Sequence, residues 1–525
     1  MSTGQAMNTN SAFAELGLAK TVKAVCDEIR ELYLWDQIPW VVGYSGGKDS
    51  SAVLQLIWLA LKELPPKQRR KPVHVISTDT LVEQPVVAAW VTASHLKMKT
   101  AAAEQEMPIT PHKLTPDVKD TFWVNLIGKG YPAPRKLFRW CTSRMKINPS
   151  NNFIRDVVRK SGEAILVLGT RKAESQRRAL NMAKLETKRV RERLTPNKSL
   201  PNSLVYTPIE DWTNDDVWLF LMQVKNPWGH TNKSLLGMYQ GASTDGECPL
   251  VVDTTTPSCG NSRFGCWVCT VVDKDRSMEA MIKNDDEKIW MMPLLELRND
   301  LGDFSKEKER RDYRRMSGRV QLFHDSVVRG PYTKESREYW LRRVFEAQRD
   351  LRELGPDEFR DIELISMAEL HEIRRIWLYE KHEFDDRLPA LYQEILGEPL
   401  PVTDSDDNLL RAEDWSILQE VCGEDQEFFQ LQASLLDIER EFRGMSRRAG
   451  IYEALDDRLR AGQYSNEEEA LAIRNAEEDR RNEIDKDVES ASVIQRVLFE
   501  AGAADGAASD VAEEDTVGGS DEVSS

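Results

Sequence analysis

The stretch that decides the fold reads Val41-Val42-Gly43-Tyr44-Ser45-Gly46-Gly47-Lys48-Asp49-Ser50. A short apolar run ends in two glycines, a lysine and hydroxyl side chains, and an amphipathic pattern follows over residues 49–63. Glycines let backbone N–H groups approach phosphate oxygens, and a helix N-terminus adds the positive end of its dipole. The order therefore predicts a buried strand, a phosphate-binding loop and a helix, although the spacing is not GxxxxGK[ST]. The alternative is a glycine-rich turn with a capping serine.

Further strands and helices alternate around this loop. Apolar runs predict strands over 40–44, 73–77 and 165–169, and periodic patterns predict helices over 11–35, 49–63 and 84–104. Such alternation is typical of a parallel sheet covered by helices on both faces. Sites in these α/β folds lie beyond the carboxyl ends of the strands. Residues 45–50, Asp79 and Arg171 all follow predicted strands, so we expect them to meet there.

Bulk composition limits the class of protein. A chain of 525 residues with 40% hydrophobic residues suggests about two or three globular domains. No apolar run is long enough to cross a bilayer, and the first residues lack the pattern of a secretory signal. We therefore expect a cytoplasmic protein without a membrane partner. The net charge of -17 argues weakly against nonspecific nucleic-acid binding.

A change of texture along the chain predicts three regions. Residues 1–285 carry the strand runs, whereas residues 286–500 are dominated by charged helical patterns. Residues 501–525 are rich in alanine, glycine, serine and acidic residues, which cannot bury a core. We expect an α/β domain over 1–285, a charged helical extension over 286–500 and a disordered acidic tail over 501–525.

The cysteines point to metal or sulfur chemistry. Of the seven, Cys26 and Cys422 stand alone and are expected to be buried or incidental. The other five are Cys141 and a later group with the spacing Cys248-x10-Cys259-x6-Cys266-x2-Cys269. Zinc and a [4Fe–4S] cluster both accept four thiolates, and the spacing alone does not choose between them.

Several motifs resemble those of one enzyme family. Ser45-Gly46-Gly47-Lys48-Asp49-Ser50 resembles the PP-loop of the ATP pyrophosphatases and the phosphoadenosine phosphosulfate (PAPS) reductases, which holds the pyrophosphate of ATP or a related anion. The segments at 77–80 (STDT), 169–178 (GTRKAESQRR) and 208–218 (PIEDWTNDDVW) resemble further family motifs. The resemblance implies an adenine nucleotide alpha hydrolase-like sheet that binds nucleotide through Ser45, Gly46, Gly47, Lys48, Asp49, Ser50, Asp79, Arg171 and Arg178. The alternatives are a helix cap at Asp79 and a solvated surface for the arginines.

The cysteine pattern resembles the iron–sulfur adenosine phosphosulfate (APS) reductases. Those enzymes carry a cysteine pair before R-K-x-x-P and a later G-C-x-x-C-T. Here Cys141 takes the second place of the first pair, with Trp140 in the first place, and Cys266 and Cys269 match the later pair. The resemblance implies a [4Fe–4S] cluster with Cys259 as the fourth ligand. Cys248 is then the alternative ligand or a free thiol that carries sulfur, and a structural zinc site is the other interpretation.

The combination resembles the DndC family of bacterial DNA phosphorothioation. The reductases proper end in E-C-G-[LI]-H, whereas this chain has Glu420-Val421-Cys422-Gly423-Glu424. The segments SGGKDS, FRWCTSRMKINP and CPLVVDTTTPSCGNSRFGCWVCTVV carry the resemblance. It implies a sulfurtransferase that uses ATP and Mg²⁺ to activate a DNA phosphate, with Ser45, Lys48, Asp49 and Cys248 in catalytic roles. The implied partners are DNA, a cysteine desulfurase, an SMC-like ATPase and a small DNA-binding subunit. A sulfonucleotide reductase and a tRNA thiolation enzyme are the alternatives.

A basic stripe is a candidate DNA surface. Its members lie within residues 305–348 and are Lys306, Lys308, Arg310, Arg311, Arg314, Arg315, Arg319, Arg329, Arg337, Arg342 and Arg343. Phosphate neutralisation by such residues gives salt-dependent affinity. The alternatives are a helix face paired with neighbouring carboxylates or a partner interface.

Overall fold

A computed structural model describes most of the chain. The described residues are 11–191, 193–197, 199–242, 264–323, 326–381, 383, 385–401, 412–423, 425–443, 445, 447–461, 466–477, 479–481 and 483–484. The chain divides into two compact units, of which the first comprises Met1–Asp312 and Pro331–Trp415 and the second comprises Tyr313–Gly330 and Ser416–Ser525. These limits differ from the predicted boundaries at 285 and 500, and the predicted tail lies outside the described residues.

A six-stranded sheet forms the centre of the first unit. Its strands are β1 (Trp40–Gly43), β2 (Val73–Thr78), β3 (Ile109–Leu114), β4 (Ala164–Val167), β5 (Thr195–Pro196) and β6 (Ser203–Tyr206). The order is β3-β2-β1-β4-β6-β5, and all neighbours are parallel except β5 and β6. The predicted parallel α/β sheet is confirmed.

Helices account for most of the rest of this unit. They are α1 (Gly17–Trp35), α2 (Lys48–Lys62), α3 (Pro85–Glu104), α4 (Asn148–Ser161), α5 (Gln176–Glu186), α6 (Asn214–Gln223), α7 (Asn232–Gly241), α8 (Arg276–Asn284), α9 (Met292–Leu301), α10 (Glu307–Arg310), α11 (Lys334–Leu354), α12 (Met367–Arg375) and α13 (Arg387–Leu396). Wider π-helical turns occupy Val124–Gly128, Thr142–Ile147 and Ile376–Glu380.

The second unit combines a small hairpin with helices. Its elements are β7 (Leu322–Phe323), β8 (Ser326–Val327), α14 (Ala412–Cys422, which begins in the first unit), α15 (Gln426–Arg443) and α16 (Ile451–Ala461). Ion pairs connect its two chain segments, because Arg319 pairs with Asp457 and Arg329 lies 2.7 Å from Glu467.

The sheet is covered on both faces, as alternation along β1 requires. Trp40 and Val42 point into a core shared with α1, α2, α3, α6 and α7, whereas Val41 points the other way, into a core with α4. Because successive side chains of a strand point to opposite faces, a strand apolar at every position is buried twice. The run Trp40-Val41-Val42 is such a strand.

A second, helical core lies in the same unit. It contains Trp123, Trp140, Trp267 and Trp340, all buried, together with apolar residues of α9, α11, α12 and α13. Cys141 and Cys266 pack against this core. The segments around the cysteines are therefore built into the helical part of the unit.

The strand order creates the kind of switch point at which open α/β sheets form a ligand crevice. The chain moves from β1 through β2 to β3 on one side and places β4 on the other side of β1. Ligands of open α/β sheets bind at such a switch point, outside the carboxyl ends of the strands. The loops after β1 and β4 hold residues 45–50 and Arg171. None of the helices in the described part of the chain combines the length and apolarity needed to span a bilayer.

Candidate nucleotide and cysteine site

The loop after β1 is held by its own serines. The Ser45 N–H donates to Ser50 Oγ at 3.2 Å, and the Ser50 hydroxyl donates to the Gly47 carbonyl at 3.0 Å. The two serine hydroxyls lie 3.2 Å apart. The α2 helix begins at Lys48, directly after Gly47, and no side chain caps its N-terminus. The structure thus has the predicted strand, glycine loop and helix.

Gly46 gives the loop its sharp turn. Its φ of +74° lies in the left-handed region, and a Cβ there would stand 2.6 Å from Val91 Cγ2. The Trp90 indole N–H donates to the Gly46 carbonyl at 3.1 Å, which fixes the direction of that peptide. His230 stacks on Trp90 with ring centroids 3.7 Å apart, and burial lowers the pKa of His230 to about 4. A neutral imidazole therefore supports the tryptophan.

Tyr239 of α7 contacts the loop directly. The Lys48 N–H donates to the Tyr239 hydroxyl at 3.4 Å, and the Lys48 ammonium lies 5.3 Å from the centre of that ring. Burial raises the pKa of Tyr239, so the hydroxyl stays protonated. The Lys48 side chain is largely buried and its Nζ lies 3.8 Å from Asp49. The Lys48 ammonium therefore lies between the Tyr239 ring and the Asp49 carboxylate.

Asp49 joins the loops after β1 and β4. The Arg171 Nε–H donates to Asp49 Oδ1 at 2.8 Å, and another Arg171 N–H donates to the Trp212 carbonyl at 3.2 Å. Arg171 is 4% exposed, so the ion pair is shielded from solvent. Gly169 permits the close approach, because a Cβ there would lie 2.9 Å from the backbone of Asp49. Asp49 and Arg171 shape the site by fixing two loops together.

Arg178 and Asp79 take up other contacts. Arg178 is exposed and pairs with Glu174, whose carboxylate also accepts from the Arg171 N–H at 3.0 Å. Asp79 accepts from the Leu81 N–H at 2.8 Å and lies 2.8 Å from the Lys113 ammonium. The alternative of a cap on the following helix is wrong, because α3 begins at Pro85 with Gln84 before it.

The segment at 208–218 has the expected structural role. Thr213 and Asp216 form a reciprocal capping box at the start of α6, in which the Thr213 N–H donates to Asp216 at 2.8 Å and the Asp216 N–H donates to Thr213 at 3.2 Å. Trp212 and Trp218 are buried in the sheet core.

Three of the five grouped cysteines lie in one electrostatic environment. Burial raises the pKa of Cys266 to about 12 and also raises the pKa of Cys141, and the charge of Cys269 raises both further. Burial lowers the pKa of Lys146, but Cys266, Glu83, Cys141 and Cys269 outweigh it and raise that pKa above its usual value. The Cys269 N–H donates to the Cys266 carbonyl at 3.1 Å, which forms a tight turn.

The cysteine turn, residues 266–269, is hydrogen-bonded to the segment that follows β2. Cys266 pairs with Glu83 in a short antiparallel bridge, and the Trp267 N–H donates to the Val82 carbonyl at 3.0 Å. The Thr80 hydroxyl lies 3.2 Å from Cys266 Sγ. On the other side, Phe264 makes an edge contact with Tyr239 at 4.8 Å between ring centroids. Because Tyr239 also contacts Lys48, the phosphate loop and the cysteine turn share one end of the sheet.

The four expected cluster ligands lie only partly within the described residues. In the residues with assigned structure, no group of three or more histidine, cysteine, aspartate or glutamate side chains is arranged to hold a metal ion. Cys248 and Cys259 lie outside the described residues. The described cysteines therefore do not by themselves form a cluster site.

Much of the basic stripe is ion-paired. In the first unit, Arg310 pairs with Asp300, Arg311 with Glu307, Arg337 with Glu383, Arg342 with Glu394 and Arg343 with Glu346. In the second unit, Arg319 pairs with Asp457 and Arg329 with Glu467. Paired charges have less attraction left for phosphate, so these contacts favour the interpretation as a carboxylate-paired helix face.

Comparison with known proteins agrees with the geometry at the end of the sheet. Residues 39–271 match the phosphoadenosine phosphosulfate reductase domain family. The matched segment contains the phosphate loop, Arg171 and all five grouped cysteines, and it ends before the helices that complete the second core.

Individual relatives are more distant. An uncharacterized protein of Methanocaldococcus jannaschii, MJ0066, is 26% identical over 262 residues, which cover 50% of this chain and 42% of that protein. The match thus spans less than half of the relative's length. Among solved structures, PAPS reductase from Candida auris in a phosphate complex is 14% identical, with a TM-score of 0.25, and covers 40% of this chain and 86% of that chain. FMN adenylyltransferase from Candida glabrata is 11% identical, with the same score of 0.25, over 46% of this chain and 64% of that chain. Neither structural likeness is close enough to carry an argument.

Proposed function

We propose that this chain is a DndC-type sulfurtransferase with ATP pyrophosphatase activity, which replaces a nonbridging oxygen of the DNA backbone with sulfur. The observation that carries the proposal is the shared location of a phosphate loop and a cysteine turn, connected through Tyr239 between Lys48 and Phe264. In this proposal ATP bound at the phosphate loop activates an oxygen of the DNA phosphate, and sulfur is delivered from the side of the cysteine turn.

The first step would be adenylylation of the acceptor. A nonbridging oxygen of the DNA phosphate attacks the α-phosphorus of ATP, the bond to the β-phosphate oxygen breaks, and pyrophosphate leaves. The N–H groups of the first turn of α2 and the Lys48 ammonium would hold the departing phosphates. Ser45, which is exposed, would donate its hydroxyl to the same anion. Mg²⁺ would supply charge neutralisation on the phosphates.

The second step would deliver sulfur. A sulfur nucleophile at the oxidation level of hydrosulfide attacks the DNA phosphorus, and AMP departs with the displaced oxygen. A cysteine desulfurase would supply the sulfur as a persulfide on Cys248, the proposed acceptor thiol. A dithiol reductant would then cleave the S–S bond, so that the sulfur is released at the hydrosulfide level while the dithiol is oxidised to a disulfide. Cys141, Cys266 and Cys269 would hold the [4Fe–4S] cluster together with Cys259, and iron content after Cys266→Ser compared with Cys26→Ser tests that assignment.

ATP/pyrophosphate exchange tests the activation step. Purified protein with its partner subunits, Mg²⁺ and duplex DNA is expected to transfer labelled pyrophosphate into ATP only when DNA is present. Ser45→Ala should lower the exchange rate, because it removes a donor at the phosphates. Ser161→Ala, at an exposed position at the end of α4, is the matched hydroxyl control. Absence of DNA-dependent exchange in the intact complex would sink the adenylylation route.

A sulfonucleotide enzyme is the second candidate, because residues 39–271 match the reductase domain family. The two candidates are distinguished by where the sulfur is found after the reaction. A reductase releases sulfite from PAPS or APS with electrons from a thiol donor, whereas the proposed enzyme leaves sulfur in DNA. Residues 420–424 (EVCGE) match the E-C-G-[LI]-H motif of the reductases proper poorly and lack its histidine, which counts against Cys422 as a reductase nucleophile.

A further inference from the structure

A small hairpin projects from the cysteine region. Arg135 and Phe138 exchange both backbone hydrogen bonds, each at 3.0 Å, so Lys136 and Leu137 form a two-residue turn. All four residues from 136 to 139 are exposed, Leu137 completely and Phe138 by 45%. Leu137 is fully open to solvent, and nearly half of the Phe138 side chain is open as well. We call residues 136–139 the hairpin tip.

The hairpin tip stands on a fixed base. The Thr270 hydroxyl donates to the Pro134 carbonyl at 2.6 Å, next to Cys269 in sequence. On the other strand, Trp140 is buried in the helical core and its indole N–H donates to the Pro132 carbonyl at 3.0 Å. The Arg135 guanidinium lies over the Phe304 ring at 4.5 Å and pairs with Glu307. The tip is therefore held in place by the cysteine segments themselves.

The charges of the tip differ from those of the basic stripe. Lys136 and Arg139 are exposed, and neither makes an ion pair with any residue that the structure describes. Arg310, Arg337 and Arg342, by contrast, are paired with carboxylates. Lys136 and Arg139 therefore flank Leu137 and Phe138 with two positive charges. Such an arrangement can bind a polyanion that also has apolar surface.

We propose that the hairpin tip contacts DNA, with Lys136 and Arg139 on backbone phosphates and Leu137 and Phe138 against the sugars and base edges of the minor groove. This rests on the proposed function and identifies where the acceptor enters. Proteins that bind the minor groove commonly combine basic residues with an apolar wedge such as Leu or Phe. Because Arg139 precedes Cys141 by two residues, DNA held at the tip brings a phosphate to the cysteine segment.

Fluorescence anisotropy of a labelled duplex with the full-length chain tests the contact directly, without ATP or sulfur. Lys136→Gln with Arg139→Gln is expected to weaken binding about tenfold and to reduce the slope of log affinity against log salt by about 1.8, or about 0.9 per phosphate contact. Leu137→Ala should lower affinity several-fold and leave the slope unchanged, because it removes no charge.

Matched controls lie elsewhere on the same unit. Lys67→Gln with Lys99→Gln removes two exposed lysines, and Leu96→Ala shortens a leucine on α3 that is 68% exposed. These variants should bind DNA like the wild type. Equal losses in tip and control variants, no DNA binding by the wild type, or tighter binding of a matched RNA would overturn the proposal, as would capture of a partner subunit through the tip without DNA.

The two proposals fail separately. DNA binding lost in the tip variants, with no sulfur incorporated by the wild-type complex, would keep the contact and reject phosphorothioation. Sulfur incorporated equally by wild-type and tip variants would keep phosphorothioation and reject the contact.

Discussion

A glycine at position 169 lets the end of β4 pass against the first turn of α2. We predict that Gly169→Ala destabilises the protein by about 1–3 kcal/mol, because the new Cβ would lie 2.9 Å from the Asp49 carbonyl, which cannot move without shifting the helix. Urea unfolding measures the free energy, and nucleotide binding should weaken in parallel because the two loops are displaced.

The matched control is Gly237→Ala in α7. A Cβ there meets no atom within 4 Å, and alanine is the better helix former, so this variant should be as stable as the wild type or more stable by up to about 1 kcal/mol. Similar losses in the two variants would mean that the contact between Gly169 and Asp49 is not the cause.

Two buried histidines make stability depend on pH. Burial lowers the pKa of both His95 and His230 to about 4, from an ordinary value of 6.5. Between these values the unfolded chain takes up protons that the folded chain refuses. The free energy of unfolding should therefore be highest above pH 6.5 and fall by about 1 kcal/mol per pH unit for each histidine down to pH 4.

Unfolding at pH 7 and pH 5 checks this dependence. His230→Gln should show a shallower fall than the wild type, since the proton that His230 takes up on unfolding no longer contributes. An unchanged slope in His230→Gln would contradict the assignment.

The sequence predicted some residues of the site but not others. The loop at 45–50 was predictable because its glycines, lysine and serines are adjacent in sequence. Tyr239 and Trp90 were missed because they reach the loop from α7 and α3, and nothing near them in sequence marks a contact with a phosphate loop. The ion pair between Asp49 and Arg171 likewise depends on the pairing of β1 with β4.

At the scale of elements, Gly46 and Gly162 both have a left-handed backbone, but only Gly46 has a neighbouring side chain in the place of a Cβ. Substituting each by alanine therefore distinguishes the cost of the backbone conformation from the cost of a steric clash. We predict that Gly46→Ala weakens ATP binding by more than about tenfold, because it adds a clash with Val91 to the cost of a positive φ. Gly162 ends α4 with a φ of +82° and has open space around it. Gly162→Ala should cost about 1–2 kcal/mol of stability and leave ATP binding unchanged. Calorimetric titration with a nonhydrolysable ATP analogue distinguishes the outcomes, and equal affinities would contradict the role of the loop.

Strands differed in how far they could be predicted. β1, β2 and β4 are central and nearly continuous apolar runs, and all three were predicted within two residues of their observed ends. β3 and β6 were missed. β3 is an edge strand that contains Pro111, His112 and Lys113, so it lacks both an apolar run and a clean alternation. β6 follows Pro201 and Asn202 and begins with Ser203, which leaves an apolar run of only three residues, Leu204-Val205-Tyr206.

At the scale of the whole molecule, the second core contains residues from both sides of position 285, where the composition of the sequence changes. Trp123 and Trp267 precede residue 285, whereas Leu294, Trp340 and Phe345 follow it, and all pack together. Charged surface positions dominate the composition of α11 and hide the apolar stripe that it buries. Local composition therefore reflects mainly the exposed face of a helix. A boundary inferred from composition, such as the one at residue 285, need not separate compact units.

Truncation tests this organisation. We predict that a chain ending at residue 285 is insoluble or binds a hydrophobic dye, because it exposes the tryptophans of the second core. A chain ending at residue 415 retains that core and should unfold cooperatively. A monomeric 1–285 fragment with a cooperative unfolding transition would contradict the prediction.

The position of β1 between β2 and β4 also has a consequence for synthesis of the protein. Val42 pairs with Val75 on one side and with Val167 on the other. Once β2 has left the ribosome, roughly 90 further residues must be translated before β4 follows, which takes roughly 5–18 s at about 5–20 residues per second. During that time a fully apolar strand presents an open edge to other nascent chains. The strand order that creates the switch point therefore also makes the newborn protein dependent on protection from aggregation.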